Sequence, residues 1–204
     1  MPLLSAEERK NVINYKYHGG DSSPVYKYVL SPIAQFGVDY FTPVWMAPNV
    51  VTLLGLLVSA TATLLTLIYN PTLSLEGPRW LHAFAGVSIF LYQTLDNMDG
   101  KQARKTGSSS ALGMLFDHGC DAINAGLSAF NMASVLGTGW TYKMFFPLTC
   151  GFVPFYFQTW EEYYLGAMIL PVFNGPTEGL IMCMIVCFFS AWKGSVWFQQ
   201  VNCY

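Results

Sequence analysis

Between Val50 and Tyr69, twenty consecutive residues carry no charge. A hydrocarbon core about 30 Å thick takes about 20 apolar residues of helix to cross. In lipid a single segment of this kind has one stable form, because only a helix pairs every backbone N–H and C=O internally. Pro48 stands just before the run, where a missing N–H costs nothing, and Asn70-Pro71 closes it. Gly55 and Ser59 within it permit close approach of a second helix.

The rest of the chain agrees with a membrane setting. Hydrophobic residues make up 53% of the 204, aromatics 16% and charged residues only 11%, against about 25% charged in soluble domains. A net charge of −2 and a pI near 5.8 leave no basic excess for phosphate contacts, so nucleic acid is not an expected partner. Cys120, Cys150, Cys183, Cys187 and Cys203 form no CxxC pair and mostly fall in apolar runs. They read as reduced, buried small hydrophobes, and Cys183 with Cys187 alone would not make a zinc site.

The expected fold is all-α: a polytopic membrane protein of about five to six transmembrane helices with an N-terminal interfacial arm. Residues 1–45 form that arm, with Tyr15, Tyr17, Tyr26, Tyr28, Phe36, Tyr40 and Phe41 interleaved with Lys16 and Lys27. Ser5 and Glu8 fit a capping box for a short helix to about Tyr15, which Gly19-Gly20 would end. No apolar run follows a basic region at the N-terminus, so no cleaved signal peptide is expected. Residues 46–192 form the membrane domain, with spans at 50–69, 80–97, 111–136, 142–160 and 177–192 and an undecided piece at 164–173 broken by Pro171. Residues 193–204 form a short tail. Lys101, Arg104 and Lys105 mark a basic turn on the same side as Arg9, Lys10, Lys16 and Lys27, while the 70–79 loop holds only Arg79. The positive-inside rule then turns the N-terminus toward the cytosol.

Where charge does occur, it is concentrated. Asp96 and Asp99 end the second span, and Asp117 and Asp121 sit in the first turns of the third. Positions three or four apart share a helix face, so Asp96 and Asp99 form one pair and Gly113, Asp117 and Asp121 one stripe. Two spans joined by a short turn run antiparallel, which brings four carboxylates to one depth. Like charges in a poorly solvated place need counter-charge. Oxygen ligands without histidine or thiolate suit hard divalent ions, Mg²⁺ or Mn²⁺, and four carboxylates can hold two such ions by bridging. Paired ions of this kind clamp phosphoryl groups, which makes a diphosphate the natural ligand. Gly100, Ala103 and Gly113 are small enough to let a nucleotide lie against backbone, and Arg104 can bind phosphate in bidentate fashion. A cation pathway is the rival reading of intramembrane acids, but it gains nothing from Arg104 beside them.

The pattern Asp96-x2-Asp99-Gly100-x2-Ala103-Arg104-x8-Gly113-x3-Asp117-x3-Asp121 resembles the full signature of the CDP-alcohol phosphotransferase family, with no departure at any position. The flanking segments 45–52, 100–110 and 116–121 resemble its eukaryotic choline/ethanolamine phosphotransferase branch, and the similarity runs from about Tyr15 to Glu178. The resemblance implies transfer of phosphocholine or phosphoethanolamine from CDP-choline or CDP-ethanolamine to diacylglycerol, releasing CMP. It implies Mg²⁺ or Mn²⁺ on Asp96, Asp99, Asp117 and Asp121, and Asn49, Gly100, Ala103, Arg104 and Gly113 around the CDP moiety. It also implies an integral protein of the endoplasmic reticulum or Golgi whose active site faces the cytosol. Relatives about twice this length carry further C-terminal helices, expected to be missing here together with a homodimer contact. The alternative is a truncated, non-catalytic binding or regulatory subunit.

Asp121 is the family's candidate base, but a metal-bound carboxylate is a weak one. His118 lies three residues before it with a pKa suited to proton transfer, and Glu178 could orient or deprotonate that histidine. Tyr92, Trp160, Tyr163 and Tyr164 could meet a cationic head group, although packing accounts for each of them as well.

Overall fold

The computed structural model describes residues 5–15, 17–74 and 77–201, with side chains to Phe198. It is nearly all helical. Helix α1 spans Ala6–Asn14 and opens with the expected capping box: the Ser5 hydroxyl accepts from the Glu8 N–H, and the Glu8 carboxylate accepts from the Ser5 N–H. A single helical turn of π type, Tyr26–Leu30, leads into α2 at Ser31–Tyr40. Helices α3 (Pro48–Tyr69), α4 (Arg79–Thr106), α5 (Ala111–Leu136), α6 (Phe145–Leu165), α7 (Leu180–Lys193) and α8 (Val196–Val201) follow.

Two of these segments, Pro48–Tyr69 and Gly175–Lys193, are long and apolar enough by length and composition to cross a membrane. Helix α4 differs from its expected bounds. The sequence predicts a span ending near Asn97 followed by a basic turn, whereas the helix continues through Lys101, Arg104 and Lys105 to Thr106. At 28 residues it is about 42 Å long, which outruns a hydrocarbon core of about 30 Å, so charges in its last turns need not enter lipid. It stops where Gly107 takes φ 65°, the left-handed cap glycine favours, and Ser108 N–H returns to Ala103 O at 3.0 Å.

The all-α expectation misses one small feature. Gly19–Asp21 (β1) and Met168–Leu170 (β2) pair as parallel strands, with Gly20 opposite Ile169. Hydrogen bonds from Met168 N to His18 O and from Ser22 N to Leu170 O extend the ladder at both ends. The glycine pair predicted to end a helix and the undecided 164–173 piece therefore meet, tying the N-terminal arm to the α6–α7 connection.

Helix α4 is the centre of the packing, against α3 on one side and α7 on the other. Ala85 and Ile89 of α4 join Met132 and Val135 of α5 and Met184 and Cys187 of α7 in one apolar cluster. A Cβ placed on Gly86 would lie 3.1 Å from Cys187 Cβ and 3.2 Å from the Phe188 ring, so the two backbones approach because position 86 has no side chain. Polar ties cross the same region. Ser190 pairs with His82 at 2.9 Å and Asn70 donates to Ser134 at 2.9 Å, the interhelical glue expected where water is scarce.

Helix α2 buries Ala34 and Val38 against Val51 and Met98. It is held to α4 by Lys101 Nζ on Ser31 Oγ (2.9 Å) and Lys105 Nζ on Val38 O (2.8 Å). Gln102 Nε2 clamps the turn before α3 by donating to Pro43 O and Met46 O, each at 3.0 Å. Helix α6 packs on α5 along one side and turns Phe145, Phe146, Phe157, Tyr163 and Tyr164 outward.

Gly86→Leu should cost about 1–3 kcal/mol by overpacking the α4–α7 contact. Thermal unfolding of the detergent-purified chain reads this directly, and an unchanged midpoint would contradict the close approach.

Candidate active site

Helices α4 and α5 are joined by only four residues, Gly107–Ser110. The Ser110 hydroxyl caps α5 by accepting from Gly113 N–H at 3.1 Å. This tight connection sets the acidic turns of both helices at one level. One carboxylate oxygen from each of Asp96, Asp99 and Asp117 lies within 4.8 Å of the other two. Asp121 sits one turn further along α5 beside Asp96 and accepts a hydrogen bond from the Tyr92 hydroxyl at 2.8 Å. The stripe drawn from spacing alone therefore forms in space, with Asp121 at its inner edge.

The donor set fits a hard cation. Asp96 Oδ1 and Asp117 Oδ1 are buried without a hydrogen-bond partner among the described residues, and a buried carboxylate oxygen left unpaired is costly. Oxygen ligands in a cluster this tight suit Mg²⁺ or Mn²⁺. Two of the acids are steadied from outside the signature. Thr52 of α3 donates its hydroxyl to Asp99, which is only 6% exposed, and Tyr92 orients Asp121. A hydroxyl bonded to one carboxylate oxygen in this way fixes the direction of the other. Neither residue was singled out as a support in the sequence, because the partner of each lies on another turn or another helix.

Of the residues expected around a nucleotide, Asn49 and Gly113 lie near each other, as do Gly100 and Arg104. A Cβ on Gly113 would fall 3.3 Å from Ser110 Oγ and 3.8 Å from Asn49 Oδ1, so glycine keeps open the space between the α5 cap and the start of α3. On α4 the Arg104 guanidinium lies back over Gly100, 3.6 Å from where a Cβ would be. Ala103 is half-buried between them in sequence, and Arg104 is exposed.

The proton-handling residues are arranged differently from expectation. His118 faces Glu162 of α6, Nδ1 to Oε2 at 3.8 Å, with 18% and 12% of their side chains exposed. Phe155 stands edge-on to the imidazole. Glu178, expected to orient His118, is instead engaged by the N-terminal arm: its carboxylate accepts from the Ser23 hydroxyl and from Asn174 N–H. Glu162 went unnoticed in the sequence because it follows another acid, Glu161, with no motif around it. Of the aromatics, Tyr92 is buried beneath Asp121, while Trp160, Tyr163 and Tyr164 are exposed.

Comparison with known proteins gives the same assignment. The family model described as CDP-alcohol phosphatidyltransferase matches residues 45–201. A choline/ethanolaminephosphotransferase 1 of Arabidopsis thaliana is 47% identical over 186 residues, 91% of this chain and 47% of its own length. The Saccharomyces cerevisiae choline/ethanolaminephosphotransferase 1 is 42% identical over 178 residues, covering 87% and 44%, and the cholinephosphotransferase 1 of the same yeast is 42% identical over 175, covering 86% and 44%. The chain spans about half the length of the curated relatives it matches.

If the cluster is a cation site, Asp99→Ala and Asp117→Ala should each weaken Mn²⁺ binding at least about tenfold, or about 1.4 kcal/mol. Electron paramagnetic resonance of free Mn²⁺ measures it, and equal binding by both variants would place the ion elsewhere. With the family model matched over residues 45–201 and the signature acids gathered together, this chain belongs to the CDP-alcohol phosphatidyltransferase family.

Proposed function

We propose that this protein transfers phosphocholine or phosphoethanolamine from its CDP ester to the hydroxyl of diacylglycerol, giving a phospholipid and CMP. The observation that carries the proposal is the convergence of Asp96, Asp99 and Asp117 beside two glycines and an arginine that leave room for a nucleotide. Its similarity to choline/ethanolaminephosphotransferases supports the substrate class.

In this reading Asp96, Asp99, Asp117 and Asp121 would hold two divalent ions, which would supply Lewis-acid neutralisation of the diphosphate. Asn49, Gly100, Ala103, Arg104 and Gly113 receive the cytidine and its phosphates, with Arg104 contributing charge from the exposed side. Thr52 and Tyr92 hold two of the acids in register. His118 accepts the proton of the attacking hydroxyl, and Glu162 faces its Nδ1, leaving Nε2 for the alcohol. Asp121, hydrogen-bonded to Tyr92, binds metal rather than protons. Glu178 serves the site through the arm. The protein sits in the membrane through α3–α7, in the endoplasmic reticulum or Golgi, with the acids toward the cytosol, where soluble CDP esters reach them and diacylglycerol arrives through lipid.

Membranes bearing the chain should form phospholipid from CDP-choline or CDP-ethanolamine, diacylglycerol and Mg²⁺, and lose that turnover in EDTA. Asp121→Asn should abolish it. His118→Ala should lower kcat at least about tenfold, a general base being worth about 10²–10⁴ when fully used, while binding of the CDP ester survives. Full turnover in either variant would remove that residue from the mechanism.

A further inference from the structure

The densest polar network outside the acidic cluster lies where β1 meets the turn that starts α7. The Asp21 carboxylate takes three hydrogen bonds. Oδ1 accepts from Ser23 N–H (2.7 Å) and Asn174 Nδ2 (3.0 Å), and Oδ2 accepts from the Thr177 hydroxyl (2.7 Å). Ser23, fully buried, passes its own hydroxyl to Glu178, whose second oxygen accepts from Asn174 N–H. Asn174 Oδ1 in turn caps this turn by accepting from Thr177 N–H at 2.8 Å. The turn is then fastened to α4, because Gln93 Nε2 donates to Pro176 O at 2.6 Å. Gln93 is one helical turn before Asp96. Two carboxylates and a buried hydroxyl are far more than a loop needs to stay in place, and Asp21 and Glu178 are both saturated by donors rather than aimed at solvent.

What the network fixes is the segment just before it. β1 starts two residues after Tyr17, whose ring folds against Gly19. Through Gln93 the same network ties that segment to α4 one helical turn before Asp96.

Resting on the transferase reading, we propose that Asp21 is a positioning residue: by latching β1 to the Asn174–Glu178 turn, which Gln93 holds to α4 one turn before Asp96, it keeps the N-terminal arm in place as a wall of the active site. The geometry assigns Glu178 to the same latch. The arm is in this view part of the catalytic unit, and its removal would open the site toward water.

The test compares the parent chain in membranes with Asp21→Ala and a relocked form of Asp21→Ala carrying Gly20→Cys and Ile169→Cys. Positions 20 and 169 face each other in the strand pair, both exposed, with open space at Gly20. Asp21→Ala should raise the KM for the CDP ester and lower kcat/KM by about 10–100-fold, the usual effect of displacing site-forming groups by about 1 Å. Oxidation should restore most of the loss in the relocked form and reduction should remove it again, a recovery that a misfolded protein would not show. If the parent turns over and Asp21→Ala keeps both constants, or if relocking restores nothing, the latch is not a positioning device. If the parent itself shows no turnover, it is the transferase reading that fails, and the proposal falls with it.

Discussion

Four carboxylates drawn from two consecutive helices lie close enough to repel one another when ionised, and the packing around them holds them together. At an effective dielectric constant near 20, two unit charges 4 Å apart cost about 4 kcal/mol, and a cluster multiplies that. The four-residue α4–α5 connection leaves the acids no freedom to separate. Thr52 and Tyr92 add a neutral donor to Asp99 and Asp121 without competing for the oxygens left over on Asp96 and Asp117. Helices α3 and α7 both pack against α4. Acids held this way suit a positively charged ligand.

The second layer is built from carboxylates with quite different surroundings. Asp21 and Glu178 are surrounded by hydroxyl and amide donors and act as hydrogen-bond acceptors within the fold. Glu162 has no such ring of donors and faces an imidazole across 3.8 Å. The same functional group therefore stands in three settings: clustered with other acids, ringed by hydrogen-bond donors, and facing an imidazole. Surroundings, not residue type, separate the three.

Much of this was readable in the chain because the signature is local. Its residues lie on two adjacent helices, so period and spacing alone predict that Asp96, Asp99 and Asp117 converge, and in the structure they lie together. Helix α3 was equally plain, its uncharged run matching Pro48–Tyr69 almost to the residue. The failures share a cause. Lys101, Arg104 and Lys105 look like a turn if a span must end at the lipid boundary, yet a long helix leaving the membrane can carry them. Residues 31–40, read as arm, form α2, whose buried side depends on Val51 and Met98 far along the chain. Three-residue strands have no periodicity to detect and exist only because the arm and the α6–α7 connection meet. The Glu162–His118 pair and the Asp21 latch are contacts across 44 and more than 150 positions, which no local pattern encodes.

The account stands or falls on whether metal joins the acids to the diphosphate. Phosphorus-31 hyperfine spectroscopy of the purified chain with Mn²⁺ and CDP-choline measures that contact. A strong coupling, present with the parent and lost in Asp117→Ala, is the predicted result. A CDP ester that binds equally well in EDTA, with Mn²⁺ showing no phosphorus coupling, would contradict it.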